Sequence, residues 1–312
     1  MKHFVLAADE VWKLQHRKTD EARLFREAAE FGHYGGRSME LTRQGIYALT
    51  PGGKFLRSWN TRHIPTVLEN LKAAQASWEK LEGEARTGGD DLPVEWRWSD
   101  MYPSDGLALL VTTRDMPRRD LPAEMKGEWR RNAWNQDRFW MSAEEWPAWL
   151  HDEGVRARVA HRFVRIHGRD NARGQTTGYE SKQVREARWD VEKVATEGDR
   201  VTYAIHGYGA VQQSGIWAIN DRRDEPAQHT RSFEGPMRGQ VVMDKDRCVS
   251  FELAWVGPRT GATQYNGRAD DPGPADLGVV ITLAPEGDRV APSLIWQYGW
   301  QKKRPAEPSK EK

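Results

Sequence analysis

Between Arg158 and Trp300 apolar and polar residues alternate with a period of two, and no other feature restricts the possible folds as tightly. HRFVRIHG, ARWDVEKV, RVTYAIHGYGAV, SGIWAIN, GQVVMDK, RCVSFELAWVG, LGVVITLAP and SLIWQYGW each read as a strand, with Gly, Asp, Asn or Pro between them. Strand side chains point alternately to two faces, so each stretch offers one face to a core and one to solvent. Eight such strands predict an antiparallel β-sandwich or barrel over 158–302, followed by a mixed-charge, disordered tail at 303–312.

Within this half, the loop GATQYNGRADDPGPADLG (Gly261 to Gly278) concentrates polar side chains among Gly and Pro. A stiff loop of that kind suits a ligand, so Tyr265, Asn266, Arg268, Asp270 and Asp271 are the candidate binding residues. The competing reading is an ordered connection in which Arg268 and the aspartates satisfy one another and the backbone. Two adjacent aspartates also suit Ca²⁺, although their spacing is not that of an EF-hand. His161 and His167 read as sharing one strand face and His206 as lying on another strand. Imidazoles on neighbouring strands can hold a metal, with an aspartate completing the set. Arg165 between the first two would repel a cation, so the expectation is no metal and no other cofactor. Cys248 is the only cysteine and excludes an internal disulfide. Alternation from Asp244–Arg247 onward puts Val249, Phe251, Leu253 and Trp255 on one face and Cys248, Ser250, Glu252 and Ala254 on the other, which makes Cys248 a partly exposed or edge thiol.

The first half has a different texture. His3 to Ala8 reads as a buried strand, and Leu24, Phe25, Ala28 and Phe31 form a helical stripe from Asp20, with Gly32 as its C′ residue. GIYALTPGGKFLRSW, Gly45 to Trp59, reads as a hairpin. Asn60 and Thr61 then cap a helix with Pro65 in its first turn and a stripe of Ile64, Val67, Leu68, Leu71, Ala74 and Trp78. Residues 83–93 are Gly- and acid-rich and predict a linker. In 94–157, VEWRWSD and LALLVTT predict a hairpin, and EWRRNAWNQDRFWMSAEEWPAWL predicts helices. Seven of the 15 tryptophans lie between Trp96 and Trp149. They read either as an aromatic surface for sugars, nucleobases or cations or as a packing core, and the Met141, Trp146, Trp149 spacing favours the core.

Strand, helix, hairpin and packing helix in that order resemble the later part of the thioredoxin fold over residues 2 to about 80. The resemblance implies a partial thioredoxin-like α/β domain without the family's Cys-x-x-Cys pair or cis-proline, and hence a redox-inactive one. The YNGRADDPGPA string, with WNQDRFW and the thioredoxin-like start, is similar to a group of uncharacterised bacterial proteins; no activity comes with that likeness. The class is therefore α+β: residues 1–82 thioredoxin-like, a Trp-rich linking segment at 94–157, and the β-rich region.

Lys and Arg at 47 against Asp and Glu at 46 leave a net charge of +1, so no global field draws in nucleic acid or an anionic membrane. No apolar run has the length of a membrane span or a signal-peptide core, so the chain as written reads as cytoplasmic, or extracytoplasmic if the true start lies upstream. Phosphate-loop, zincin and nucleophile-elbow motifs are missing, and Gly207-Tyr208-Gly209 reaches Gln212 where a dinucleotide motif needs its third glycine. The expectation is a non-catalytic protein that binds a small ligand or a protein partner. The alternatives are a metal-assisted hydrolase with its site in the β region, and a truncated thioredoxin-like redox protein missing its Cys-x-x-Cys.

Overall fold

The computed structural model describes residues 4, 11–38, 40–61, 63–87, 98–118, 130, 133–220 and 224–300. They belong to two compact units, one within 1–100 and one within 101–304. Among the described residues no helix is long and apolar enough to cross a membrane.

In the first unit α1 (Val11–His16) and α2 (Asp20–Glu30) precede β1 (Ile46–Leu49) and β2 (Phe55–Trp59), and α3 (Ile64–Glu79) and α4 (Glu84–Thr87) follow. Thr19 caps α2 by accepting from the Ala22 amide at 3.2 Å. Gly32 lies one residue past the C-cap Phe31, as expected, but Phe31 itself is 75% exposed and leaves the stripe. The expected hairpin forms: β1 and β2 pair antiparallel, and Thr50 and Gly53 close the turn with Gly53 at φ +79°. Val67, Leu71 and Ala74 of α3 pack on Ala48, Leu56 and Trp59. Ile64 and Leu68 stay exposed, so the stripe is narrower than its sequence, and His63 is the N-cap in place of Asn60 or Thr61. The strand expected at His3 to Ala8 lies outside the described residues except for Phe4, which packs on this core.

The second unit is one antiparallel sheet of seven strands. They are β3 (Leu107–Asp115), β4 (Trp134–Met141), β5 (Val184–Glu197), β6 (Arg200–Trp217), β7 (Ala227–Asp244), β8 (Arg247–Thr260) and β9 (Ala275–Leu283). Their spatial order is β4-β3-β9-β8-β7-β6-β5: a meander from β5 to β9 with the β3–β4 hairpin added beyond β9. The Trp-rich segment and the β-rich region thus share one sheet and are not separated at 157/158.

Five sequence expectations need correction here. HRFVRIHG is not a strand but the end of α5 (Glu153–His167). Eight residues of alternation fit either period, and the longer window decides: Asp152 caps the Val155 amide at 2.9 Å, and Val155, Val159 and Phe163 recur every four residues on the buried face. WNQDRFW is a strand and not a helix; it supplies the partner of LALLVTT, with Leu109 opposite Phe139. Of VEWRWSD, the residues before Trp98 lie outside the described set, and Trp98–Met101 is a 3-10 turn. SLIWQYGW holds a second 3-10 turn, Ile295–Tyr298, while RVTYAIHGYGAV and SGIWAIN merge into the single strand β6.

Helix α5 lies against the inner face of the sheet. Phe163 meets Phe139 of β4 at 5.4 Å between ring centroids, Trp189 of β5 at 5.3 Å and Trp255 of β8 at 6.0 Å. β4 and β5 are the two edges of the sheet, so it curls around the helix until both reach the same ring. Trp140 and Trp149 are fully buried, and Trp149 packs on Trp189 and Phe251. The core reading of these tryptophans therefore holds for them. The Gly207-Tyr208-Gly209 run lies within β6, where a Cβ on Gly209 would stand 2.7 Å from the Trp255 ring, so this glycine makes room for the tryptophan.

Cys248 also differs from its expectation. Val242 pairs with Ser250 and Met243 with Cys248, so Val249 is the extra residue of a β-bulge. The bulge reverses the alternation: Val249 is exposed and Cys248 is buried with Phe251, Leu253 and Trp255. Burial pushes its thiol pKa up to about 11. Iodoacetamide at neutral pH should leave the folded protein unmodified and label Cys248 only after denaturation; rapid labelling of the native protein would contradict the inward placement.

Candidate functional site

Helix α5 ends at Gly168, and the next five residues, Arg169 to Arg173, are all buried although four of them are charged or amide-bearing. They face two polar clusters built with elements distant in sequence. Asp115, the last residue of β3, Asp170 and Asp271 form the acidic side of the first cluster, and Arg268, Arg259 and Arg173 the basic side. Arg268 donates Nε and one terminal nitrogen to Asp170, at 2.7 and 3.0 Å, and both terminal nitrogens to Asp115. A further bond reaches Asp271 at 3.3 Å, so all five guanidinium hydrogens have acceptors. Burial alone would lower the pKa of Arg268, but Asp170 and Asp115 outweigh it and raise the value above the ordinary arginine range. Burial pulls Asp271 upward in turn, and Arg259, Arg118 and Arg173 hold it below the usual carboxylate value.

The second cluster floors an open cleft of about 440 Å³. Asp137 of β4 projects on the same side as the buried Phe139 and Met141. One oxygen accepts from the Ser293 amide at 2.9 Å; the other accepts from the Ser293 hydroxyl at 2.6 Å and from Arg169 at 2.8 Å. Arg169 also donates to the Ser293 hydroxyl oxygen at 2.5 Å. Burial acts to raise the Asp137 pKa, yet His167, Arg169 and Ser293 together hold it below its ordinary value. The carboxylate is thus ionised and fully engaged. Asn135, Gln136 and Asn171 extend the polar lining along one side, and Gln175, Thr176 and Thr177 along another. Tyr265, Leu294 and Trp296 supply the apolar remainder. The 169–178 and 261–274 loops meet backbone to backbone here, where the Gln175 amide donates to the Tyr265 carbonyl at 2.9 Å.

Of the five loop residues expected to bind a ligand, Tyr265 alone lines this cleft. Asn266 is buried and holds its own loop, accepting from the Thr263 amide at 2.8 Å. Arg268 and Asp271 belong to the ionic cluster, and Asp270 is exposed beside Arg130. Within the loop Arg268 meets only Asp271, at 3.3 Å, and its other acceptors, Asp115 and Asp170, come from outside it.

The three histidines are not gathered. His161 lies on α5 with Nε2 3.2 Å from the Ser181 hydroxyl, and burial and Arg165 lower its pKa. His206 is exposed on β6. His167, at the end of α5, is buried with Nδ1 4.0 Å from Asp137 and is stacked on Phe163. Among the described residues no three His, Cys, Asp or Glu side chains come together to hold a metal ion.

Asp137, Arg169 and Asn171 were missed in the sequence. A polar residue on one face of WNQDRFWM was the available signal for Asp137; the run RDNAR after the helix reads as an ordinary solvent-facing loop, so Arg169 and Asn171 gave none. No protein-family model, curated protein or solved structure matches the chain.

Burial lowers the His167 pKa from about 6.5 to about 4. Between those values the unfolded chain takes up a proton that the folded chain refuses, so this contribution is complete above about pH 6.5 and is lost as the pH falls toward 4. Unfolding free energy measured in urea should drop by roughly 2 kcal/mol from pH 7 to pH 5 on account of this residue. His167→Phe should flatten that slope; an unchanged slope in the variant would contradict the assignment.

Proposed function

We propose that the second unit is a binding module that takes a small polar ligand in the cleft floored by Asp137, Arg169 and Asn171, and that it does so without covalent chemistry. The observation that carries this reading is the order of groups on the cleft floor. The Ser293 hydroxyl donates directly to Asp137 Oδ2 at 2.6 Å, and His167 Nδ1 lies 4.0 Å from that same oxygen. A nucleophilic serine needs the imidazole between hydroxyl and carboxylate, so that the base can take the proton. Here the carboxylate occupies that place, and its lowered pKa makes it a poor base. The volume falls within the range of roughly 300–1,000 Å³ common to small-molecule sites.

The hydrolase reading loses support from the same geometry, because Asp271 is occupied by arginines and the histidines stand apart from it. A redox reading would have only Cys248, buried in the sheet. The first unit is read as a redox-inactive, partial thioredoxin-like domain; α3 packed on the β1–β2 hairpin supports that.

Gln175 is exposed on the cleft wall, so Gln175→Trp fills the cleft without disturbing a buried contact. Thermal-shift screening against neutral, anionic and cationic metabolites should find a class that raises the Tm of the natural protein and leaves the variant unmoved. No stabilising class, or equal stabilisation of both proteins, would contradict the proposal.

A further inference from the structure

We infer that the ligand of the cleft is a neutral carbohydrate; this rests on the reading of the cleft as a binding site. Small-molecule pockets are mostly apolar with a few placed polar groups, and nine of the twelve described residues that line this cleft carry polar groups beside an apolar wall. A ligand that matches it must carry several hydrogen-bonding groups together with an apolar face.

The kind of polar group narrows the class. Gln136, Asn171 and Gln175 present carboxamides, while the Asn135 carboxamide is engaged with the Gln136 amide and the Asn171 carbonyl, and the Thr176 and Thr177 hydroxyls accept from Arg231 and keep their own protons to donate. Carboxamides both donate and accept, as sugar hydroxyls do; a phosphate only accepts and an ammonium only donates. Charge points the same way. Among the described lining residues the cation is Arg169, held at 2.8 Å by Asp137, so an incoming anion would meet the carboxylate and a cation would meet the guanidinium.

The remaining requirement is a flat apolar surface for the C–H face of a pyranose ring. Tyr265 and Trp296 lie on the cleft wall and are 44% and 41% exposed, in contrast to the fully buried Trp140, Trp149 and Trp255 of the same unit. Aromatic side chains with a polar tip suit a surface that is apolar on one side and wet on the other. A nucleoside would also use rings and amides, but it presents fewer hydroxyls than so polar a lining can engage.

The test is isothermal titration of the full chain with maltotriose, cellotriose, xylotriose and tri-N-acetylchitotriose at millimolar concentration, with adenosine as comparator. At least one trisaccharide should bind; Trp296→Ala should weaken it about tenfold and Gln175→Trp should abolish it, with both variants retaining the natural circular dichroism spectrum. Adenosine binding that Gln175→Trp removes, with no saccharide bound, would overturn the carbohydrate assignment and leave the cleft intact as a site. Saccharide binding that persists in both variants would overturn the placement, and no binding by any probe would overturn both readings.

Discussion

The guanidinium of Arg268, fully buried and bonded through all five of its hydrogens, is the interaction on which the arrangement of the second unit's loops depends. A buried charge is tolerated only when paired and hydrogen-bonded, and removing one partner of such a group typically costs about 3–5 kcal/mol. Here the partners come from three places in the chain. Asp115 ends β3, Asp170 follows α5, and Asp271 sits in the same loop as Arg268. Arg259 of β8 adds a bond from Asp271 to the sheet at 2.8 Å. Two loops that would otherwise be free to move are therefore fixed to the sheet and to each other, and they are the loops that carry Asn171, Gln175 and Tyr265 to the cleft.

The two polar clusters are built alike and end differently. Around Arg268 the fold supplies an acceptor for every hydrogen of the central side chain, which is what a scaffold requires. Around Asp137 the carboxylate is satisfied, yet Arg169 Nε, Asn171 Oδ1 and His167 Nε2 are buried without partners. Arg259 Nε of the first cluster is also buried without a partner, so the open cleft beside Asp137, and not unused polar capacity, separates the proposed site from the structural cluster.

Much of the meander was legible in the sequence, because Phe251, Leu253 and Trp255, or Val279 and Ile281, alternate over lengths that only a strand fits. The antiparallel pairing followed from the short turns. Other features depended on information outside the local window. Val164, Arg165, Ile166 and His167 alternate by chance inside a helix whose period shows only from Val155 onward. One inserted residue, Val249, reversed the facing of Cys248, and nothing in the composition marks a bulge. The Gly261 to Gly278 loop was conspicuous for its charge, but that charge is consumed in fixing the loop. The cleft floor was not legible because Asp137 and Ser293, 156 residues apart, form one group only after β4 and the last segment meet.

The central claim is that the ionic cluster holds the cleft loops, and hydrogen–deuterium exchange of Asp170→Asn tests it most directly. This substitution keeps the side chain's shape and removes one charge facing Arg268. Exchange should accelerate in residues 169–178 and 261–276 while the amides of β6, β7 and β8 retain their natural protection. Loops that exchange as slowly as in the natural protein, or a uniform loss of protection across the sheet, would contradict the claim.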